Sequence, residues 1–388
     1  MMKLGSSTTT TTALLLLHLL LACPRSSYGA TLDVATCEDL LSAAAATATS
    51  RTVGVLTAGG ISCDDWTTFE VTNNRLKLVA PDTGFDADHV FSFVNVRFLV
   101  SSSTLRVDPA VSFATGEAGG RQALNGGALH VAEGGYARFL SDVSMNEISI
   151  RSVTDEGSDV SPDTWYGGCI YSQGKIRFEG PFEAEGCATV GGGESAPGDG
   201  GGIFNGPTAV LIFKKPVSMV DNGTFDNEGN RGGAIRNEGK VTVTKDASFV
   251  DNASAGGGAI SNTGVMKFLK NSLAIFSENR TYDSGRSGGQ VSNSGEMKFN
   301  GGAVFESGFT EANGGAFANY GTLTISKSAV FSDNVASYNG GAIYTDSDST
   351  LDLPNDTVFE NNSVRYPDDY DCNDWYQEQA DGSFVCLP

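Results

Sequence analysis

A Gly-Gly pair recurs along most of this 388-residue chain, and its spacing restricts the fold more than any other feature. Pairs that fit the repeat begin at Gly126, Gly167, Gly201, Gly232, Gly257, Gly288, Gly314 and Gly340. The intervals are 41, 34, 31, 25, 31, 26 and 26 residues, so later units are regular and earlier ones carry insertions. Aligned on the pair, GGAIRNEGKVTV from Gly232, GGAISNTGVMKF from Gly257, GGQVSNSGEMKF from Gly288 and GGAFANYGTLTI from Gly314 are one unit rewritten. GGCIYSQGKIRF from Gly167 fits with Ser172 in place of the asparagine. Most units run on to Phe-x-x-Asn, as at Phe249 to Asn252, Phe276 to Asn279, Phe331 to Asn334 and Phe359 to Asn362.

Short alternating pieces such as Val241-Thr242-Val243 and Leu323-Thr324-Ile325 read as strands. Glycine interrupts them too often for helices. The Asn, Gly and Asp between them accept left-handed turns. About three short strands and three turns per unit cannot form one long strand, but they can form one coil of a solenoid. The expected fold class is therefore all-β, a right-handed parallel β-helix solenoid with a short N-terminal helical cap. In such a stack each residue sits about 4.8 Å above its counterpart. Asn237, Asn262, Asn293 and Asn319 are then expected to form a hydrogen-bonded ladder. Gly239, Gly264, Gly295 and Gly321 follow two residues later, where a positive φ is expected. Ile235, Ile260, Val291, Phe317 and Ile343 should form an interior stack, because no unit can bury its apolar face alone.

The paired motifs resemble the GGA(I/L/V) and FxxN repeats of chlamydial-type polymorphic outer membrane proteins. More broadly, the chain is similar to the pectin-lyase-like β-helix superfamily. The resemblance covers about residues 116–363 and implies an adhesin or surface passenger. Outer-membrane members of that family end in a long autotransporter barrel. Here the chain stops at Pro388, so membrane self-insertion is not expected.

Four segments follow. Residues 1–29 read as a secretory signal peptide. Lys3 precedes the apolar run Ala13 to Ala22, which is about half a bilayer span, and Ser27-Tyr28-Gly29 offers a cleavage site. A lipid anchor on Cys23 is the alternative. Residues 30–115 read as a helical cap (Cys37 to Thr47) with degenerate first coils, or as a separate N-terminal domain. Residues 116–363 are the repeats. Residues 364–388 are an acidic, irregular, disulfide-stapled tail, and Gly191 to Gly202 reads as a mobile surface loop. The six cysteines outside the leader fall by spacing into Cys37 with Cys63, Cys169 with Cys187, and Cys372 with Cys386. Spacing alone leaves other pairings open.

Without Lys3 and Arg25, 23 basic residues face 46 acidic ones, a net charge of −23. Such a surface repels nucleic acid, anionic lipid and acidic polysaccharide, and suits a cationic partner or calcium. Before the Phe-x-x-Asn asparagine stand Asp251, Glu278 and Asp333, with Asp221 in the Met219 variant. Stacked like charges are costly, and calcium bound by Asp221, Asp251, Glu278 and Asp333 would relieve them. Alternatively, they splay into water. Sequons occur at Asn222, Asn252, Asn279, Asn355 and Asn361. The first three coincide with the repeat asparagine, where a buried amide would exclude a glycan.

Catalysis has little support. Outside the leader the only histidines are His89, read as part of a solvated loop, and His130, read as a surface rung. No catalytic residue and no organic cofactor is assigned. The expected role is a secreted or cell-surface interaction protein that binds extracellular polysaccharide, matrix or a surface protein. It has no nucleic-acid partner and no membrane span. A polysaccharide-active enzyme and a structural wall component are the alternatives. Specificity should lie where the repeat breaks.

Overall fold

The computed structural model describes residues 29–47, 50–86, 88–115, 125–151, 165–190, 198–225, 230–283, 285, 287–366, 372–379 and 384–387. Residues 1–28 of the leader lie outside them, as do residues 191–197 of the glycine-rich insertion.

The chain winds as a parallel β-solenoid with four faces. In the coil that opens at Gly257, Ile260–Asn262 lies on the first face and Val265–Phe268 on the second. Leu273–Ser277 follows on the third and Arg280–Thr281 on the fourth. Each strand pairs in parallel with its counterparts in the coils on either side. Four strands per coil, rather than three, is a correction. The fourth is two or three residues long and had no apolar alternation to reveal it.

The second face carries twelve strands without a break, from Thr31–Val34 to Thr350–Asp352. In the early coils Gly60–Thr72 and Val90–Ser101 cross the third and first faces in one run. Val90 pairs with Ala110 on the third face, and Phe98 with Leu129 on the first. These coils lack a fourth face, which explains why their sequence hides the repeat. The helix Cys37–Ala46 closes this end. Thr36 and Asp39 form its capping box, and Leu40, Ala43 and Ala44 are buried against the first rungs.

The core is a set of columns. Ile235, Ile260, Val291, Phe317 and Ile343 are fully buried and in register. Beside them Phe249, Phe276, Phe305, Phe331 and Phe359 stack with ring centroids 4.8, 4.9, 4.9 and 5.1 Å apart. Each such side chain contributes about 1.5–3 kcal/mol when fully buried, realised only once a neighbouring coil covers it.

The two glycines of a pair serve different needs. Gly257 has φ +67°, a left-handed value costly for other residues. A Cβ on Gly258 would lie 2.2 Å from the carbonyl oxygen of Gly289 in the next coil. The expectation of positive φ at Gly239, Gly264, Gly295 and Gly321 is overturned, because none of them adopts it. Gly264 is needed for close approach, since its Cβ would meet Gly239 O at 2.1 Å.

At the far end Trp375–Glu378 adds a parallel rung to Ile343–Thr345, and Phe384–Leu387 turns back antiparallel to it. The tail is thus partly regular. All three disulfides join the pairs expected from spacing. Among the described residues, no helix is long and apolar enough to cross a membrane.

Candidate functional site

A groove of about 570 Å³ runs along the third face. It begins at Val90 and Val111 and reaches Leu273 and Ile275, crossing seven coils, or about 29 Å. Strand alternation points Ser144, Glu183, Ser218, Ser248 and Ile275 outward, one per coil and in register. Asp142 and Asp246 stand on the rim with Pro181 and Pro216. All the charges lining the groove are acidic. Hydroxyls and small apolar surfaces repeat along it, an arrangement that suits an extended chain better than a compact ligand.

A smaller pocket of about 190 Å³ lies on the first face, lined by Arg231, Arg236, Ser261, Ser292, Ser294 and Tyr320 among others. Arg236 is only 5 % exposed. Its guanidinium donates to Ser261 Oγ at 2.7 Å and to Glu238 Oε1 at 2.8 Å. Its Nε lies 3.7 Å from Asp199 Oδ2, too far for a hydrogen bond. Burial pushes the Asp199 carboxyl up against the opposing pull of Arg236 and Arg231. Two arginines thus face two carboxylates, and the pocket is close to neutral. Sequence reasoning missed this cluster because it joins separate coils. The available signal was Arg236 itself, at the repeat position that Ser261 and Ser292 occupy.

Further toward the N-terminus, the same row carries His130, Tyr171 and Phe204. Tyr166 lies over Phe204 with centroids 4.3 Å apart. Arg97, 3 % exposed, donates from a terminal nitrogen to His130 Nδ1 at 3.0 Å. Arginine has no acceptor, so Nδ1 carries no proton and the imidazole is neutral. Burial, then the Arg97 charge, lowers the His130 pKa to about 4. Burial lowers that of Arg97 to about 10. His130 is therefore a fixed structural acceptor, half-buried rather than a free surface rung. His89 is not in a solvated loop either. Its ring lies 4.4 Å from Phe85 and 4.8 Å from Phe91, with Nε2 buried.

Asp221, Asp251, Glu278 and Asp333 do fall in one column, as expected. Each sits at a left-handed turn with φ between 51° and 57°. Glu147, Ser307 and Asn361 share that conformation in their coils, so backbone geometry is common to the column and acidity is not. Asp251 accepts from Arg280 at 3.2 Å. Among the described residues no three His, Cys, Asp or Glu side chains converge to hold a metal.

Asn222, Asn252 and Asn279 are at most 1 % exposed. Asn252 Nδ2 donates to Met219 O at 3.0 Å and to Asn279 Oδ1 at 2.8 Å, which ties three coils together. A glycan on any of the three is incompatible with this ladder. Asn355 and Asn361 remain exposed.

Fold and faces together define a β-helical protein built to display long regular surfaces. Residues 328–346 match the Chlamydia polymorphic membrane protein repeat. The matched stretch contains Phe331 to Asn334 and the Gly340-Gly341-Ala342-Ile343 turn, so it runs from the third face of one coil to the first face of the next, less than one full unit. Repeat and fold fit a surface-associated β-helical protein. No curated protein and no solved structure matches the chain.

Proposed function

We propose that this is a secreted, surface-associated interaction protein that binds an extracellular polysaccharide or surface protein along the third-face groove. The observation that carries the reading is the groove's continuity over seven coils with one outward side chain per coil. An extended ligand would gain a similar increment from each coil. Three disulfides suit an oxidising compartment, in keeping with a leader at residues 1–29. A polysaccharide array scored for both retention and product formation tests the reading. Retention of an uncharged glycan without products, lost in Ser218→Trp, supports it. Shortened or unsaturated products would replace binding with catalysis, and no retention of any glycan would leave a protein partner to be sought by cross-linking.

A further inference from the structure

The chain's net charge of −21 conceals a cationic face. On the second face Lys77, Arg106, Arg138 and Arg177 point outward in four consecutive coils, in direct register. Lys267 and Lys298 resume the same column further along. Arg75, Lys175 and Lys240 stand in the neighbouring outward column. That makes nine cations (four, two and three) on the outward strand positions, against Asp33, Glu296 and Asp352. The third face presents Glu183, Glu185, Glu306 and Glu360 on its repeat strands, and no cation.

The acids near the stripe leave the excess in place. Asp108 is shared by Lys77 at 2.9 Å and Arg106 at 2.5 Å. Glu179 is shared by Arg138 at 2.8 Å and Arg177 at 2.6 Å. Glu296 is shared by Lys267 at 3.2 Å and Lys298 at 3.0 Å. Each triad holds one acid between two cations and keeps a charge of +1. All these side chains are between a fifth and two-fifths exposed, and such pairs contribute little to stability. Their regularity is not required by the fold, because Ile212, Thr242 and Thr324 occupy the same column elsewhere.

We infer that the second face is a binding surface for a linear polyanionic glycan, sulfated or uronic, lying along the solenoid axis. The cations stack in register along the axis with a rise of about 4.8 Å per coil, in two runs separated by the coils of Ile212 and Thr242. An extended polyelectrolyte can follow that line. The phosphates of duplex nucleic acid wind away from it, and a single strand needs a row of aromatics for base stacking. Tyr136 is the one aromatic pointing outward on this face's strands. A second copy of the chain brings its own net negative charge. At about 0.1 M salt the Debye length is near 10 Å, so a bound chain senses the triads more than the distant acidic faces.

The test uses the full chain on immobilised heparin and on polygalacturonate, with duplex DNA as a third arm. Retention at low salt on at least one glycan is expected, with release as salt rises. Arg138→Gln/Arg177→Gln and Lys267→Gln/Lys298→Gln should each weaken it about tenfold, with melting temperatures unchanged. Ser218→Trp, on the third face, should leave it intact. Failure of the wild type to bind either glycan overturns the assignment, as does wild-type affinity in both double variants. DNA bound as tightly as glycan would overturn the ligand class. Glycan-independent dimers abolished by the same variants would transfer the face to a second copy.

Discussion

Gln290 Nε2 donates to Asn334 Oδ1 at 3.0 Å, across the one late coil where Gly308 replaces the Phe-x-x-Asn asparagine. Asn279 Nδ2 donates to Gln290 Oε1 at 3.3 Å, so Gln290 splices an interrupted amide ladder. It arrives from the Gly-Gly-x position of the same coil, which other coils fill with small residues such as Ala259 and Ala316. These two positions face each other across the interior. In the coil opened at Gly167 they hold Cys169 and Cys187, which form a disulfide. Ala with Asn, Gln with Gly and Cys with Cys are three solutions to one space. Gln290→Ala should therefore cost about 2–3 kcal/mol by leaving a void and unpaired ladder groups. Gly308→Asn alone should also destabilise, because its Cβ would meet Gln290 Cγ at 2.5 Å. The double variant should recover the part of the loss due to Gln290, while the Cβ contact with Gly315 O, also at 2.5 Å, remains. Urea unfolding of all four proteins measures the coupling, and additive losses would show that the two positions do not share a space.

The first-face ladder makes the same point without compensation. Asn237, Asn262, Asn293 and Asn319 pass one hydrogen bond per coil at 2.6, 2.7 and 2.9 Å. Asn262→Ala removes a buried amide that bonds both neighbours and should cost about 2–3 kcal/mol. Asn355→Ala, at an exposed site, should stay within about 0.5 kcal/mol. Equal denaturation midpoints for the two variants would show that the ladder adds nothing.

How much of this could be read in advance follows from which signals are local. The interior column from Ile235 to Ile343 and the asparagine ladder repeat at fixed offsets from Gly-Gly, so alignment of units exposes them. The Gln290 splice was invisible because two departures from the repeat, 18 residues apart, compensate only when the coil closes. The cationic face was present in strings such as RLKL, KIRF and VMKF, each with a base at an outward position. Net charge averages over faces and pointed to the opposite conclusion. Arg236 and Asp199 meet only through coil stacking. Left-handed turns were expected at Gly264 and its counterparts, but they fall on residues such as Asp251, because glycine at Gly264 answers to crowding by the neighbouring coil rather than to φ.

The acidic column gives a test of that last distinction. If left-handed geometry selects Asp251, Asp251→Asn should be nearly neutral and Asp251→Ala should cost about 1 kcal/mol. Charge plays no part in that ranking, and chelator should leave the melt unchanged. A melting temperature that rises with millimolar calcium and no longer does so in Asp251→Asn would assign the column a metal.

Ladder burial sets a pattern for glycosylation. Expressed in a host that modifies sequons, the chain should carry glycans at Asn355 and Asn361, and none at Asn222, Asn252 or Asn279. Intact mass before and after deglycosylation, with site mapping, reads this directly. Full occupancy at Asn252 in a folded, soluble protein would contradict the ladder.

His130 makes stability depend on pH in a stated direction. Its pKa is about 4 in the folded chain, against about 6.5 when unfolded. Between those values the unfolded state binds the extra proton, so stability is fully present above about pH 6.5 and is lost as pH falls toward 4. The loss approaches about 3 kcal/mol, because a protonated Nδ1 can no longer accept from Arg97 and a second positive charge is buried beside it. Carboxylates held low by partners, such as Glu179 beside Arg177 and Glu296 beside Lys298, also lose stability on acidification. They do so below the ordinary carboxylate range and equally in a variant. His130→Gln keeps an acceptor for Arg97 without a titrating group. Its unfolding free energy should start below that of the wild type at pH 7.5, and the gap should close or reverse by pH 4.5. Parallel curves across that interval would mean that His130 is solvated and that Arg97 does not hold it neutral.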